Sequence, residues 1–303
     1  MYRRNLLAAA LALPALARPA LAQAVPLPVV ASFSILGDMV RQLGGSRVAV
    51  RVLAGPDVDA HTFQPRPADA AAVRDAALVV RNGLGFEPWL DRMLRSAGRK
   101  GPVAVASTGI RPRAMADDGH GHGHGHAHGQ DPHAWQDLAN GRSYARTVAA
   151  ALAAADPAGA GHYRDRASAY DARLAALDAW VRERIATVPE ARRKVVTSHD
   201  AFGYFAAAYG VEFLAPQGIS TESEPSAAQV GRLVRLLKQQ NISALFLENM
   251  ANPATLQRLA AEAGVTVQGR LYADALSPPD GPAPDYEAMF RHNVGLLVPA
   301  MAG

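Results

Sequence analysis

Cysteine is absent from all 303 residues. That gap excludes a disulfide framework, a thiolate zinc site and the acylated cysteine of a bacterial lipoprotein. Long apolar runs are scarce as well. Beyond the first two dozen residues, no segment offers the ~18 consecutive apolar residues of a membrane-spanning helix. Charge of one sign is not in excess either. The formal net charge is +4, and three of the positive residues (Arg3, Arg4 and Arg18) fall in an N-terminal stretch without acids. Removing those three leaves +1 and no basic footprint for nucleic acid. No Gly-x-x-x-x-Gly-Lys-[Ser/Thr] phosphate loop, His-Glu-x-x-His pair or nucleophile elbow occurs. What remains is a globular composition, 49% hydrophobic and 19% charged, in a chain long enough for two domains.

Residues 1–22 read as an export signal rather than part of the fold. Arg3 and Arg4 form a positive start, and Leu6 to Leu16 form an apolar stretch too short to span a bilayer. Ala20-Leu21-Ala22 fits a cleavage site, with Ala22-Gln23-Ala24 as the alternative. A twin-arginine and an ordinary secretory signal both fit. The expected product is exported, soluble and periplasmic, a monomer without a membrane anchor.

The mature sequence alternates strand-like and helix-like stretches. Strands are expected at 28–31, 48–53, 78–81, 103–106, 195–197, 244–247 and 265–268, and helices between them, for example at 35–43, 67–75 and 227–240. Such alternation predicts parallel sheets covered by helices. One segment departs from it. From Asp156-Pro157, a helix-opening pair, apolar residues recur at Tyr163, Ala167, Tyr170, Leu174, Leu177, Val181 and Ile185 until Pro189 stops the pattern. A helix over 157–187 would span roughly 45 Å, more than a crossover needs. It predicts a spine joining two α/β lobes, against the alternative of two helices broken near Ala167 to Ala169. The expected division is an N-terminal lobe at 23–140, a helical connection at 141–188 and a C-terminal lobe at 189–303. A spine should limit hinge opening, leaving metal release to loops and modest lobe movement.

Ten histidines are present, and their placement is uneven. His120, His122, His124, His126 and His128 alternate mainly with glycine in a low-complexity loop at 119–129. His61, His133 and His199 stand alone in Asp-Ala-His-Thr-Phe-Gln-Pro, Asp-Pro-His-Ala-Trp and Ser-His-Asp-Ala-Phe. His61 and His199 lie just beyond expected strands, where α/β sheets form their ligand crevice, and His133 lies in a rigid turn. Separations of 72 and 66 residues fit one ligand from each of several units, not a local finger. Each histidine taken singly is also compatible with an ordinary surface or capping role. Imidazole suits zinc, copper, iron or nickel. Asp59, Asp131 and Asp200 lie within two residues of these histidines. They are candidates to orient the rings, or else to cap helices and close Asx turns. The histidine run is either a metal-collecting loop that raises local zinc near a cleft or a solvated tract that binds metal incidentally. His162 and His292 read as ordinary, and Trp89, Trp135 and Trp180 as core.

Several motifs in order carry a family resemblance. They are Asp59-Ala60-His61-Thr62-Phe63-Gln64-Pro65, Asn82-Gly83-Leu84-Gly85-Phe86-Glu87-Pro88-Trp89 and Asp131-Pro132-His133-Ala134-Trp135. They continue with Ser198-His199-Asp200-Ala201-Phe202-Gly203-Tyr204-Phe205, Glu222-Ser223-Glu224-Pro225-Ser226 and Leu271-Tyr272-Ala273-Asp274-Ala275-Leu276-Ser277. The chain resembles the zinc and manganese group of ABC-transporter solute-binding proteins, over nearly the whole mature length. The resemblance implies two α/β lobes joined by one long helix, with metal in the cleft. It also implies His61, His133 and His199 as ligands, with Asp274 as the fourth. In the manganese-binding branch the position matching His199 is usually a carboxylate. Three imidazoles and one carboxylate match four-coordinate Zn2+.

The reading is therefore high-affinity zinc capture for delivery to an ABC permease, with ATP hydrolysis on a separate subunit. A periplasmic metallochaperone is carried as a further partner. The alternatives are a zinc hydrolase, in which water would hold the fourth position, and a free-standing metallochaperone or adhesin.

Overall fold

The computed structural model describes residues 25–114, 130–222 and 225–303. The expected export signal at 1–22 and the histidines at 120, 122, 124, 126 and 128 lie outside these residues.

Among the described residues, eight parallel strands form two sheets of four. In the first, β1 (Leu27–Phe33) lies between β2 (Val48–Ala54) and β3 (Leu78–Arg81), with β4 (Val103–Val105) beyond β3, giving the order β2-β1-β3-β4. The second contains β5 (Lys194–Val196), β6 (Glu212–Leu214), β7 (Leu245–Glu248) and β8 (Val267–Leu271) in the order β6-β5-β7-β8. The central strands are covered on both faces. Val29, Val30, Ala31, Leu78, Val79 and Val80 are all buried, which is why these segments read as continuous apolar runs instead of alternating ones.

Two departures from the sequence expectation have local causes. β6 is not expected, because Glu212, Phe213 and Leu214 are too short a run to show a period. β8 starts at Val267, not at Val265. The preceding helix, α8 (Pro253–Ala263), ends on Gly264 in the left-handed conformation, and the Val265 N–H closes that helix on Ala260 O at 3.0 Å. A helix C-cap thus takes the residues that β-propensity assigns to the strand.

Helices flank both sheets: α1 (Ser34–Gly44), α2 (Pro67–Asp75), α3 (Pro88–Ser96), α4 (Leu138–Ala155), α6 (Gly203–Tyr209) and α7 (Ala227–Gln240). Between the lobes runs α5 (Ala160–Ala186), unbroken over 27 residues. Pro157–Gly159 wind first as a 3-10 turn, capped by the Asp156 side chain on Gly159 N–H. Tyr163, Tyr170, Leu174, Leu177, Val181 and Ile185 form its buried stripe. Asp156 also receives Arg47 at 2.7 Å and the Tyr163 hydroxyl at 2.7 Å, fixing the first lobe to the start of the spine. Near the other end, the Tyr209 hydroxyl donates to Asp178 at 2.8 Å.

A second bridge was not expected from the sequence. The last helix, α9 (Tyr286–Ala302), packs along α5 and touches both lobes. The Tyr286 N–H donates to Asp38 of α1 at 3.0 Å, and Asn293 exchanges two hydrogen bonds with the Tyr272 backbone beyond β8. One hydrophobic core therefore runs through both lobes, including Val29, Trp135, Leu177, Phe246 and Phe290. Smaller clusters cover the outer faces of each sheet. No helix among the described residues is long and apolar enough to cross a membrane.

Candidate metal centre

The C-terminal edges of the two sheets face each other, and their loops deliver four donors to one point. His61 lies between β2 and α2, His133 just before the 3-10 turn Ala134–Gln136, His199 three residues after β5, and Asp274 three residues after β8. His133, His199 and Asp274 are fully buried, and His61 is 7% exposed. A ligand atom from each of the four lies within 4.8 Å of the others. His61 Nε2 is 3.2 Å from His133 Nε2 and 3.2 Å from Asp274 Oδ2. His199 Nε2 is 3.1 Å from Asp274 Oδ2, and His133 Nε2 is 3.5 Å from Asp274 Oδ1.

The site is wired as well as assembled. The Trp135 indole and the Gln136 amide both donate to Ala273 O, at 3.0 and 2.8 Å. The Leu276 N–H donates to Ser34 Oγ at 2.9 Å, and the Asp57 N–H to Leu276 O at 3.0 Å. The loop carrying Asp274 is thus held by side chains and backbone of the opposite lobe. Phe86 packs against His61 and Trp135 against His133, at ring separations of 4.6 and 5.3 Å, and gives the donors an apolar wall.

The three aspartates next to the histidines have different roles. Asp131 Oδ1 meets the Nδ1 of His133 at 2.8 Å and accepts the His133 backbone N–H at 3.0 Å. Asp59 instead accepts the His61 backbone N–H at 2.8 Å, an Asx turn, and receives the Thr221 hydroxyl of the other lobe at 2.6 Å. Asp200 does not orient the His199 ring. Its backbone N–H goes to Gly218 O, while the carboxylate at the His199 Nδ1 is Glu248, 2.5 Å away at the end of β7.

Sequence reasoning missed Glu248, because it closes an apolar strand run and meets His199 only through the β5–β7 pairing. It also missed the role of Asn82 and Glu87. Glu87 is buried and accepts the Ser32 hydroxyl and the Asn82 N–H, each at 2.6 Å. The Asn82 amide then donates to Pro132 O at 2.9 Å, directly before His133.

Electrostatics favour two charged imidazoles while no metal is bound. Burial alone would lower the His133 pKa, but the Asp274 charge and the Asp131 contact outweigh it and push it up to about 9. Burial likewise opposes charge on His199, and Glu248 and Asp274 hold its pKa well above the ordinary value. Burial would raise Asp274, yet His133 and His199 hold it well below the usual carboxylate range. Even so, His199 Nε2 and both Asp274 oxygens are buried without a hydrogen-bond partner. Buried polar atoms without aligned partners are costly, and a cation at their common centre would satisfy them together.

Comparison with known proteins finds metal-binding relatives. A family model described as zinc-uptake complex component A, periplasmic, matches residues 29–300. The manganese-binding lipoprotein MntA of Halalkalibacterium halodurans is 32% identical over 277 residues, covering 91% of this chain and 89% of its own. The iron-binding protein YfeA of Yersinia pestis is 31% identical over 269 residues, covering 89% and 84%. Among solved structures, the periplasmic zinc binding protein TroA from Treponema pallidum superposes with a TM-score of 0.85 at 28% identity, covering 92% of this chain and 100% of that one.

Proposed function

This chain belongs to the zinc-uptake complex component A family of periplasmic proteins, and we propose that it captures Zn2+ between its lobes and hands it to an ABC permease driven by a separate ATPase subunit. The carrying observation is the meeting of four buried donors, three of whose atoms have no other partner. The named relatives are variously manganese-, iron- and zinc-binding, so the choice of metal rests on the donor set. Three imidazoles and one carboxylate are a zinc complement, whereas manganese is better served by more oxygen. A tetrahedron with zinc's bond lengths of about 2.0–2.1 Å has edges of roughly 3.3 Å. The contacts of His61 with His133 and of the three histidines with Asp274, at 3.1 to 3.5 Å, are of that size, and the whole set lies within 4.8 Å.

Asp274 occupies the position where a zinc hydrolase keeps water, which supports transport over hydrolysis. Some relatives are named as lipoproteins, whereas the 303 residues here include no cysteine. We take the chain to be exported. The histidine run is assigned a collecting role. The Ala114 and Gln130 backbones bridge, so any metal held between them is tethered three residues from His133, and its effective concentration at the cleft is raised.

Zinc titration of the tag-free protein lacking residues 1–22 tests the assignment. One tight site is expected, apart from weaker binding by the histidine run. Combining His61→Ala with His199→Ala removes two of four ligands and should abolish that site. A tight one-to-one site surviving in the double variant would contradict the assignment.

A further inference from the structure

Glu248 is a fully buried carboxylate with a divided task. Its Oε1 accepts two backbone N–H groups, from Ser198 at 2.8 Å and His199 at 2.9 Å. Its Oε2 lies 2.5 Å from His199 Nδ1, and neither of those two atoms has another partner. The residue comes from β7, so it reaches His199 across the sheet, 49 positions away in sequence. His133 has the same arrangement built locally, with one Asp131 oxygen on both its backbone N–H and its Nδ1. Two ligands of the centre thus carry a carboxylate on the ring nitrogen remote from Asp274.

We infer that Glu248 is a positioning residue for metal capture: it holds a proton of His199 on Nδ1, so that Nε2 is the nitrogen that yields its proton and takes the ion. The inference rests on the zinc-site reading above. A neutral imidazole has one N–H and one lone pair. A carboxylate has no hydrogen to donate, so the nitrogen facing it must carry the proton. Nε2 faces Asp274 Oδ2 at 3.1 Å, and when the ion displaces the proton held there the lone pair is left at Nε2. Carboxylate–imidazole–metal relays of this kind fix the ring orientation and raise its basicity, and their loss costs ~10- to 100-fold in metal affinity. The same carboxylate ties the 198–199 backbone to β7, so ring and loop are set by one group.

The discriminating variant is Glu248→Gln. A glutamine side chain has one oxygen and one NH2 group. With the oxygen on the two backbone N–H groups, the NH2 faces Nδ1 and forces the proton onto Nε2. Flipped, the NH2 meets the two N–H donors. That flipped form keeps an acceptor on Nδ1 only by setting its NH2 against two N–H donors, so the first orientation is favoured; there a role limited to bracing the backbone survives and a role in presenting Nε2 does not. Zinc affinity of the full chain, measured by competition with a chromophoric chelator, should fall ~10- to 100-fold in Glu248→Gln. Near-UV circular dichroism of the metal-free protein should be unchanged. Equal affinity in the folded variant and the wild type overturns this inference alone, while failure of the wild type to take up zinc overturns the zinc reading with it.

Histidine 15N NMR of the zinc-loaded wild type needs no variant. It should show His199 protonated at Nδ1 and metal-bound at Nε2. The reverse pattern, or a metal-bound Nδ1, overturns the inference even if Glu248→Gln does not fold.

Discussion

His133 is enclosed by two carboxylates, and its protonation links metal capture to pH. Without metal it keeps a proton up to about pH 9, and His199 is held in the same direction. A zinc ion entering as a dication displaces those two protons, so the buried site keeps its net charge. The sign follows from linkage. His133 has its pKa raised from 6.5 to about 9. Its contribution to metal-free stability is complete below pH 6.5 and is lost as pH rises through about 9. Zinc affinity moves the opposite way and should rise across that window, by up to two decades per pH unit where both imidazoles release protons. Calorimetry in buffers of different ionisation enthalpy should find between one and two protons released per zinc at pH 7. An affinity flat between pH 6.5 and 9 would contradict this picture. A second prediction concerns Gly203. A Cβ there would meet Asp131 Oδ2 at 2.6 Å, so Gly203→Ala should shift the carboxylate that orients His133. A weakening of zinc binding approaching ~10-fold is expected, and a chelator competition that leaves affinity unchanged would refute it.

At the scale of elements, strand-end loops supply chemistry and helices hold them in register. α5 shows how far sequence carries this. Its buried stripe, from Tyr163 to Ile185, follows the helical period read from the sequence. Leu177 is fully buried at its centre, and Leu177→Ala should cost ~2–5 kcal/mol by transfer and cavity terms. Urea denaturation of the metal-free protein checks this, and a loss below ~1 kcal/mol would mean the stripe is not packed. Asp156→Ala removes a cap together with the partners of Arg47 and Tyr163. It should lower stability by ~1 kcal/mol, read as a drop in thermal midpoint.

The site was legible to a similar depth. His61, His133 and His199 stand out because turn-forming residues isolate each of them. Asp274 was legible only through the motif around it, since an aspartate before Ser277-Pro278-Pro279 has no period or spacing of its own. Glu248 was not legible, and Asp200 stood in its place. Which carboxylate meets His199 is decided by the pairing of β5 with β7, a contact between residues 49 apart that no local pattern encodes. The second bridge, α9, is hidden for the same reason, as its role lies in what it packs against.

Across the whole molecule, the two lobes share contacts that separate bodies on a flexible hinge would lack. α5 and α9 carry one core through both, and hydrogen bonds cross the cleft at Asp59–Thr221, Trp135–Ala273 and Ser34–Leu276. Wide hinge opening of the kind seen in other periplasmic binding proteins would expose that core. Release should instead come from loops at the cleft mouth, where a cavity of ≈ 180 Å³ is lined by Asp59, Thr62, Ser198 and Thr221. Small-angle scattering should give radii of gyration for metal-free and zinc-loaded protein that agree within about 1 Å, and a contraction of several ångströms would contradict the shared core.

The most direct measurement is anomalous diffraction at the zinc edge from crystals of the loaded protein. The expected result is one strong peak between the lobes, about 2.0–2.1 Å from Nε2 of His61, His133 and His199 and about 2.0–2.2 Å from an oxygen of Asp274. A peak that omits any of these four, or water in place of Asp274, would contradict the closed zinc site.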